Sequence, residues 1–184
     1  VTVKMRLGWD EEHINAPVLA KLVEEAGADA ISVHGRTRMQ FYSGNANWRA
    51  ISEVVQAVSI PVIANGDIFD VEAAARCYAI TGCAGLMPGR GILGNPWLVR
   101  DLVRQEAGLA QLPPPTVQEK LEMAVCHLQS QIARVGEERG IKQMRAHLPH
   151  YLKGLKNGAA LRNRLNQLTK EQEVIAALKT YELQ

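Results

Sequence analysis

Apolar positions in the first hundred residues fall into short β-branched runs that alternate with longer stretches of helical period. The runs are Thr2–Met5, Ala30–Val33, Pro61–Ala64 and Gly85–Met87, roughly thirty residues apart, and each leads into a turn rich in Gly, Asn, Asp or Arg. Each run predicts a strand. The first intervening helix is expected from Asn15 as N-cap to Ala26, with Val18, Leu19, Leu22, Val23 and Ala26 inward and Gly27 as the stop. The second begins near Asn47 and turns Trp48, Ile51, Val54, Val55 and Val58 inward; the third begins at Asp70 and stops before Gly82. The fourth opens at Asn95-Pro96, an N-cap followed by proline at the first helical position, where the missing N–H costs nothing.

The pattern changes after residue 111. Leu112-Pro113-Pro114-Pro115 reads as an extended linker. Thr116 and Glu119 then have capping-box spacing, and a long helix follows with Leu121, Val125, Leu128 and Ile132 inward. Further helices are expected over Lys142–Leu155, Ala159–Leu168 and Lys170–Leu183, the last with Thr169 and Gln172 as a second capping box. The organisation is therefore an α/β domain over 1–111, a linker over 112–115 and an all-α domain over 116–184.

Strands alternating with helices build a parallel sheet, either open and doubly wound or closed into a barrel. No GxGxxG follows a strand, so the fingerprint of the open dinucleotide fold is lacking. Polar residues instead gather after every strand: Lys4 and Arg6, His34-Gly35-Arg36-Thr37, Asn65-Gly66-Asp67 and Gly89-Arg90-Gly91. A β/α barrel places its active site there. The reading is the second half of a TIM-type β/α barrel. Four tilted strands cannot close one, so the N-terminal half-barrel is expected to lie outside this chain.

Composition adds less. With 47% apolar residues a core is well supplied, and no apolar run approaches the ~18 residues of a membrane span. Cys77, Cys83 and Cys126 form no CxxC pair or metal-ligand spacing and read as reduced thiols of a cytoplasmic protein. The net charge of +2 is unevenly spread. Between Arg139 and Arg164 lie seven basic residues (Arg139, Lys142, Arg145, Lys153, Lys156, Arg162, Arg164) and no acid, which leaves 14 basic against 19 acidic residues elsewhere. A one-signed block on a mildly acidic body is the footprint of a polyanion-binding face. Arg139, Lys142 and Arg145, three apart, would form a stripe on a helix.

Four strings in this order and spacing carry more information than any one of them. They are Val1-Thr2-Val3-Lys4-Met5-Arg6-Leu7-Gly8-Trp9, His34-Gly35-Arg36-Thr37, Ile60-Pro61-Val62-Ile63-Ala64-Asn65-Gly66-Asp67-Ile68, and Met87-Pro88-Gly89-Arg90-Gly91 followed by Gly94-Asn95-Pro96-Trp97. Together they resemble the tRNA-dihydrouridine synthase family, strongly over about residues 1–100 and more weakly at Arg145-Ala146-His147 and Tyr151-Leu152-Lys153-Gly154. The resemblance implies an FMN cofactor, NADPH as reductant and reduction of a tRNA uridine to 5,6-dihydrouridine, by hydride transfer to uracil C6 and protonation at C5. It implies that Lys4 and His34 meet the flavin ring, that Gly66, Gly89 and Arg90 meet the phosphate, and that Asn65 and Asp67 hold the ribityl chain or the loop. Arg36, Arg139, Lys142, Arg145 and Lys153 are the expected tRNA contacts. No metal is implied: His147 and His150 lie three apart on a helix without an acidic or cysteine partner.

Two departures stand out. Pro88 replaces the family's usual aliphatic residue and should end the last strand at Met87. The family's proton-donor cysteine lies in the first barrel half, and Cys77, Cys83 and Cys126 do not match its motif, so no catalytic residue is assigned in this chain. Trp48 and Trp97 are expected to pack, whereas Trp9, just past a strand end, could border a substrate. Two other readings remain: an FMN barrel acting on a small molecule, in the manner of a dihydroorotate dehydrogenase, and a non-catalytic RNA-binding module.

Overall fold

A computed structural model describes residues 1–181. They fall into two compact units: Val1–Ile92 with Leu98–Leu109, and Leu93–Trp97 with the residues from Ala110 onward.

In the first unit, β1 (Thr2–Arg6), β2 (Ala30–His34), β3 (Val62–Asn65) and β4 (Gly85–Met87) alternate with α1 (Ala16–Glu25), α2 (Trp48–Ala57), α3 (Val71–Thr81) and α4 (Trp97–Glu106). All strand pairs are parallel and the spatial order is β1-β2-β3-β4. A doubly wound sheet reverses its order at a switch point, whereas a β/α barrel advances in chain order as seen here. Successive strand residues face opposite ways. Met5, Ile31, Val33, Val62 and Ala64 join the core beneath the helices with Ala50, Ile51 and Val54. The opposite face carries Lys4, Arg6, His34 and Asn65. Leu98 and Leu102 of α4 close a smaller cluster with Ile68 and Ala74.

The local signals act as their chemistry requires. Asn47 accepts from the Ala50 N–H (3.1 Å) and Asp70 from the Ala73 N–H (2.6 Å), each capping its helix. Gly82 ends α3 in the left-handed conformation that glycine adopts without penalty. β4 stops at Met87, before Pro88. The fourth helix starts at Trp97, so Pro96 precedes it and does not take its expected first helical position.

One expected face is wrong. Val18 and Leu22 of α1 are 66% and 56% exposed, while Ala16 and Ala20 are buried. Alanine lets the helix sit close to the strands, so the small residues face the core and the larger apolar stripe turns outward. The neighbouring strand β1 is an open edge of this sheet.

The second unit is helical: α5 (Val117–Val135), α6 (Glu137–Met144), α7 (Leu148–Tyr151), α8 (Gly158–Leu165) and α9 (Glu171–Tyr181). Its core includes Leu121, Leu128, Ile141, Met144, Leu165 and Leu178. The Thr116/Glu119 capping box is complete on both sides. A side chain at Gly140 would meet the Ile132 backbone at 2.9 Å, so this glycine lets α6 lie close against α5.

Two expectations need correction. The helix anticipated over Lys142–Leu155 breaks after Met144 and resumes at Leu148, with Pro149 in the first turn of the new helix, because proline cannot continue a helix interior. The second capping box does not form, since α9 begins at Glu171. The Glu171 N–H donates instead to Glu137 Oε1 (2.9 Å), a cap supplied by α6. The end of the expected last helix, at Leu183, lies outside the described residues.

Candidate active site

Strand register assembles the site. Arg6 pairs with His34, His34 with Asn65, and Asn65 with Met87, so the last residues of the four strands form one row across the sheet. A cavity of 310 Å³ opens over this row, lined by Lys4, Arg6, His34, Asn65 and the turns that follow β3 and β4. The cations Lys4, Arg6 and Arg90 face a single carboxylate, Asp67. Burial and the neighbouring Arg6 lower the Lys4 pKa. His34 falls to about 4 because burial, then Arg6, Lys4 and Arg36, disfavour its cation more than Asp67 favours it. Its ring is therefore neutral at pH 7. Arg36 Nη1 lies 3.5 Å from His34 Nε2, and a guanidinium only donates, so Nε2 accepts and the ring hydrogen belongs on Nδ1.

The loops around the cavity are braced from below. Arg6 donates to the Thr37 carbonyl (2.8 Å) and the Phe41 carbonyl (3.0 Å). Arg36 donates to the Ser43 carbonyl (3.1 Å), the Gly44 carbonyl (2.6 Å) and Asp67 Oδ2 (2.7 Å). Asp67 Oδ2 also accepts from the Ala46 N–H (2.7 Å), and Oδ1 accepts from Arg90 Nη2 (3.1 Å). Burial works against the Asp67 charge, but the Arg36 hydrogen bond and the other donors outweigh it and hold its pKa below the ordinary carboxylate value. Phe41 and Asp67 both sit at positive φ, 52° and 56°. Non-glycine residues hold that conformation where surrounding contacts over-determine it.

This geometry reassigns several residues. Arg36 was expected at the tRNA surface, yet it is 1% exposed with its guanidinium engaged by two carbonyls and a carboxylate. It is a brace. Asp67 holds two loops together, as a turn residue would. Asn65 Nδ2 donates to the Met87 carbonyl (2.6 Å) and ties β3 to β4. A side chain at Gly66 would meet Ala46 Cβ at 2.8 Å and His34 Cδ2 at 3.0 Å, so that glycine serves loop packing, with Trp48 Nε1 donating to its carbonyl (3.0 Å). A side chain at Gly89 would meet nothing closer than Asn65 Nδ2 at 3.9 Å, so this glycine is open, whereas one at Gly91 would run into the Ile68 carbonyl. Arg90 begins a short 3₁₀ turn, Arg90–Ile92, and lies 4.7 Å from the Tyr42 ring and 5.7 Å from the Phe69 ring. Sequence reasoning passed over Arg6 as a brace, and Tyr42 and Phe69 altogether. The available signal was the aromatic pair Phe41-Tyr42 inside a loop that follows two arginines, Arg36 and Arg38.

Trp9 is 61% exposed, with Arg38 over its ring at 6.0 Å. In the helical unit Arg139, Lys142, Lys153, Lys156, Arg162 and Arg164 are exposed. Among the described residues none of the seven basic residues forms an ion pair; the pair found in that unit joins Lys170 to Glu137. Arg145 departs from the expected stripe: it follows the end of α6, is half-buried and donates to the Leu168 carbonyl (3.3 Å). His147 lies against His127 with the rings tilted by 53° and their centres 5.1 Å apart, and His150 is exposed. Cys77 and Cys83 share a buried cluster, and Cys126 is exposed on α5.

Comparison with known proteins places this arrangement. The chain is 47% identical over 173 residues to a probable tRNA-dihydrouridine synthase 1 of Synechocystis, covering 94% of this chain and 48% of that protein. It is 43% identical over 166 residues to a probable tRNA-dihydrouridine synthase of Rickettsia bellii, covering 90% and 51%. The chain thus spans about half the length of these curated relatives. Among solved structures, FabK from Thermotoga maritima is similar at 18% identity and a TM-score of 0.38, over 98% of this chain and 60% of that one. The dihydrouridine synthase (Dus) family model matches residues 1–184, and with it the chain is identified as a member of that family.

Proposed function

We propose that the complete protein reduces a uridine of tRNA to 5,6-dihydrouridine, using FMN and NADPH, and that this chain supplies the second half of the barrel and a helical RNA-binding domain. The observation that carries the proposal is the cavity at the strand ends, where Lys4, Arg6 and Arg90 face one carboxylate already engaged by Arg36 and Arg90. A site with that excess of positive charge suits an anionic cofactor. FMN has a phosphate dianion and a ring that gains negative charge on reduction; when bound it supplies the hydride-transfer chemistry.

The donor set fits. Arg90, with the open Gly89 beside it, would hold the phosphate through side chain and backbone together. Lys4 projects from the strand face below and would stabilise charge at the ring edge. Neutral His34 would offer its Nδ1 hydrogen. Asn65 and Asp67 keep the two carrying turns in register. The open edges at β1 and β4 and the uncovered stripe of α1 support a barrel completed by further βα units. Neither buried cysteine lines the cavity, so the proton donor is expected from those units. The target base must leave its stack to be reduced. Arg139, Lys142 and Lys153, which have no ion-pair partner among the described residues, would hold the folded RNA by its phosphates.

Turnover of unmodified tRNA by the purified complete protein, followed as NADPH oxidation and dihydrouridine formation, tests the reading. A protein that retains flavin and consumes NADPH yet leaves tRNA unchanged would return the small-molecule reading. Arg90→Ala should weaken flavin retention by about 1.5–3 kcal/mol, the range for a charge-assisted hydrogen bond; unchanged affinity on titration would make Arg90 purely structural. This chain alone, with FMN and NADPH added, should show little turnover.

A further inference from the structure

A second cavity of 580 Å³ adjoins the first. Tyr42, Asp67, Phe69 and Arg90 line both and form the wall between them. On its outer side the second cavity adds Arg76 of α3, Trp48 and Asn45. We infer that this cavity binds a nucleotide, with its phosphate at Arg76 and its base against Tyr42 and Phe69.

Three observations support it. The first is charge. The one carboxylate lining the cavity, Asp67, is held by Arg36, the Ala46 N–H and Arg90, so no free acid opposes a phosphate. Arg76 is exposed and has no ion-pair partner among the described residues. The second is surface chemistry. Tyr42 and Phe69 remain 49% and 48% exposed although they flank Arg90. Exposed rings beside arginines suit stacked bases, whose faces bind aromatics while their phosphates bind guanidinium groups. The third is rigidity. The Tyr42 loop is fixed by Arg6 and Arg36 through four backbone carbonyls and carries strained Phe41, so the wall is built before any ligand arrives. Preorganisation of that kind lowers the cost of binding. The volume lies within the ordinary range for a small-molecule site.

The nucleotide could belong to the RNA beside the target uridine or to the dinucleotide reductant; the shared chemistry is a phosphate joined to a planar base. This inference rests on the proposed function but has a separate test. In the flavin-loaded complete protein, Arg76→Ala and Arg76→Lys are compared with wild type for unmodified-tRNA affinity across a salt series and for the NADPH concentration that half-saturates flavin bleaching. If the RNA supplies the nucleotide, Arg76→Ala should weaken tRNA binding about tenfold and reduce the log–log salt slope by about 0.7–0.9, with partial rescue by lysine. If the reductant supplies it, the half-saturating NADPH concentration should rise instead. Flavin content should not change in either case. Unaltered tRNA and NADPH responses in both variants, with an active wild type, would overturn this site and leave the proposed reaction intact; a wild type that reduces no tRNA would fail the reaction itself.

Discussion

Arginines at the strand ends and arginines on the helical surface offer a contrast. In the strand unit Arg36 is buried, Arg6 is partly buried, and both point into loops: their guanidinium groups satisfy backbone carbonyls that sharp turns would otherwise leave without donors. In the helical unit Arg145 makes one such bond, to the Leu168 carbonyl, but Arg139, Arg162 and Arg164 stand in solvent and form no ion pair among the described residues. A cation's role thus follows from what the nearby backbone lacks. Turns at strand ends recruit side-chain donors, whereas the interior of a helix pairs its own carbonyls and leaves a surface cation free of that task.

Removing the buried brace should cost most. Arg36→Ala leaves Asp67 with its charge and without its main partner, and the contacts to the Ser43 and Gly44 carbonyls are lost. The strand unit should therefore lose about 3–5 kcal/mol in urea unfolding of the complete protein. A loss below about 1 kcal/mol would mean that the brace is dispensable. His34 should impose a pH dependence. Its pKa is about 4 in the fold against 6.5 for an unperturbed histidine, so between those values the unfolded chain binds a proton that the folded chain does not. Stability should therefore fall as pH drops from about 6.5 to about 4, at no more than about 1.4 kcal/mol per pH unit, and His34→Gln should remove that slope.

The contrast sharpens on the helical side. Arg139→Glu with Lys142→Glu should leave stability near wild type, weaken tRNA binding and flatten its salt dependence by roughly 0.7–0.9 per lost phosphate contact. Arg145→Glu should destabilise the unit instead, since that side chain turns inward; equal effects on tRNA binding and equal stabilities in the two variants would erase the distinction. Smallest, Thr116→Ala should cost about 1 kcal/mol by opening the capping box at the start of α5, measured from the same urea transitions.

Features that depend on neighbours along the chain were legible without coordinates. Short apolar runs located all four strands, Asn47, Asp70 and Thr116 located helix starts, Gly82 a helix end, and Pro88 the end of β4, because caps and turns are settled within a few residues. The strand-end motifs likewise located the cavity, since in a parallel sheet with connecting helices every strand ends on the same side. Features that depend on distance through space were not legible in this way. Periodicity marked α1 as apolar but not which apolar residues face the sheet; that followed from how closely Ala16 and Ala20 let it approach. Glu137 caps α9 from 34 positions away. Arg36 and Arg90 look alike as strand-end cations, and only the fold, by bringing Asp67 between them, made one a buried brace and left the other at the cavity wall, where a ligand can reach it.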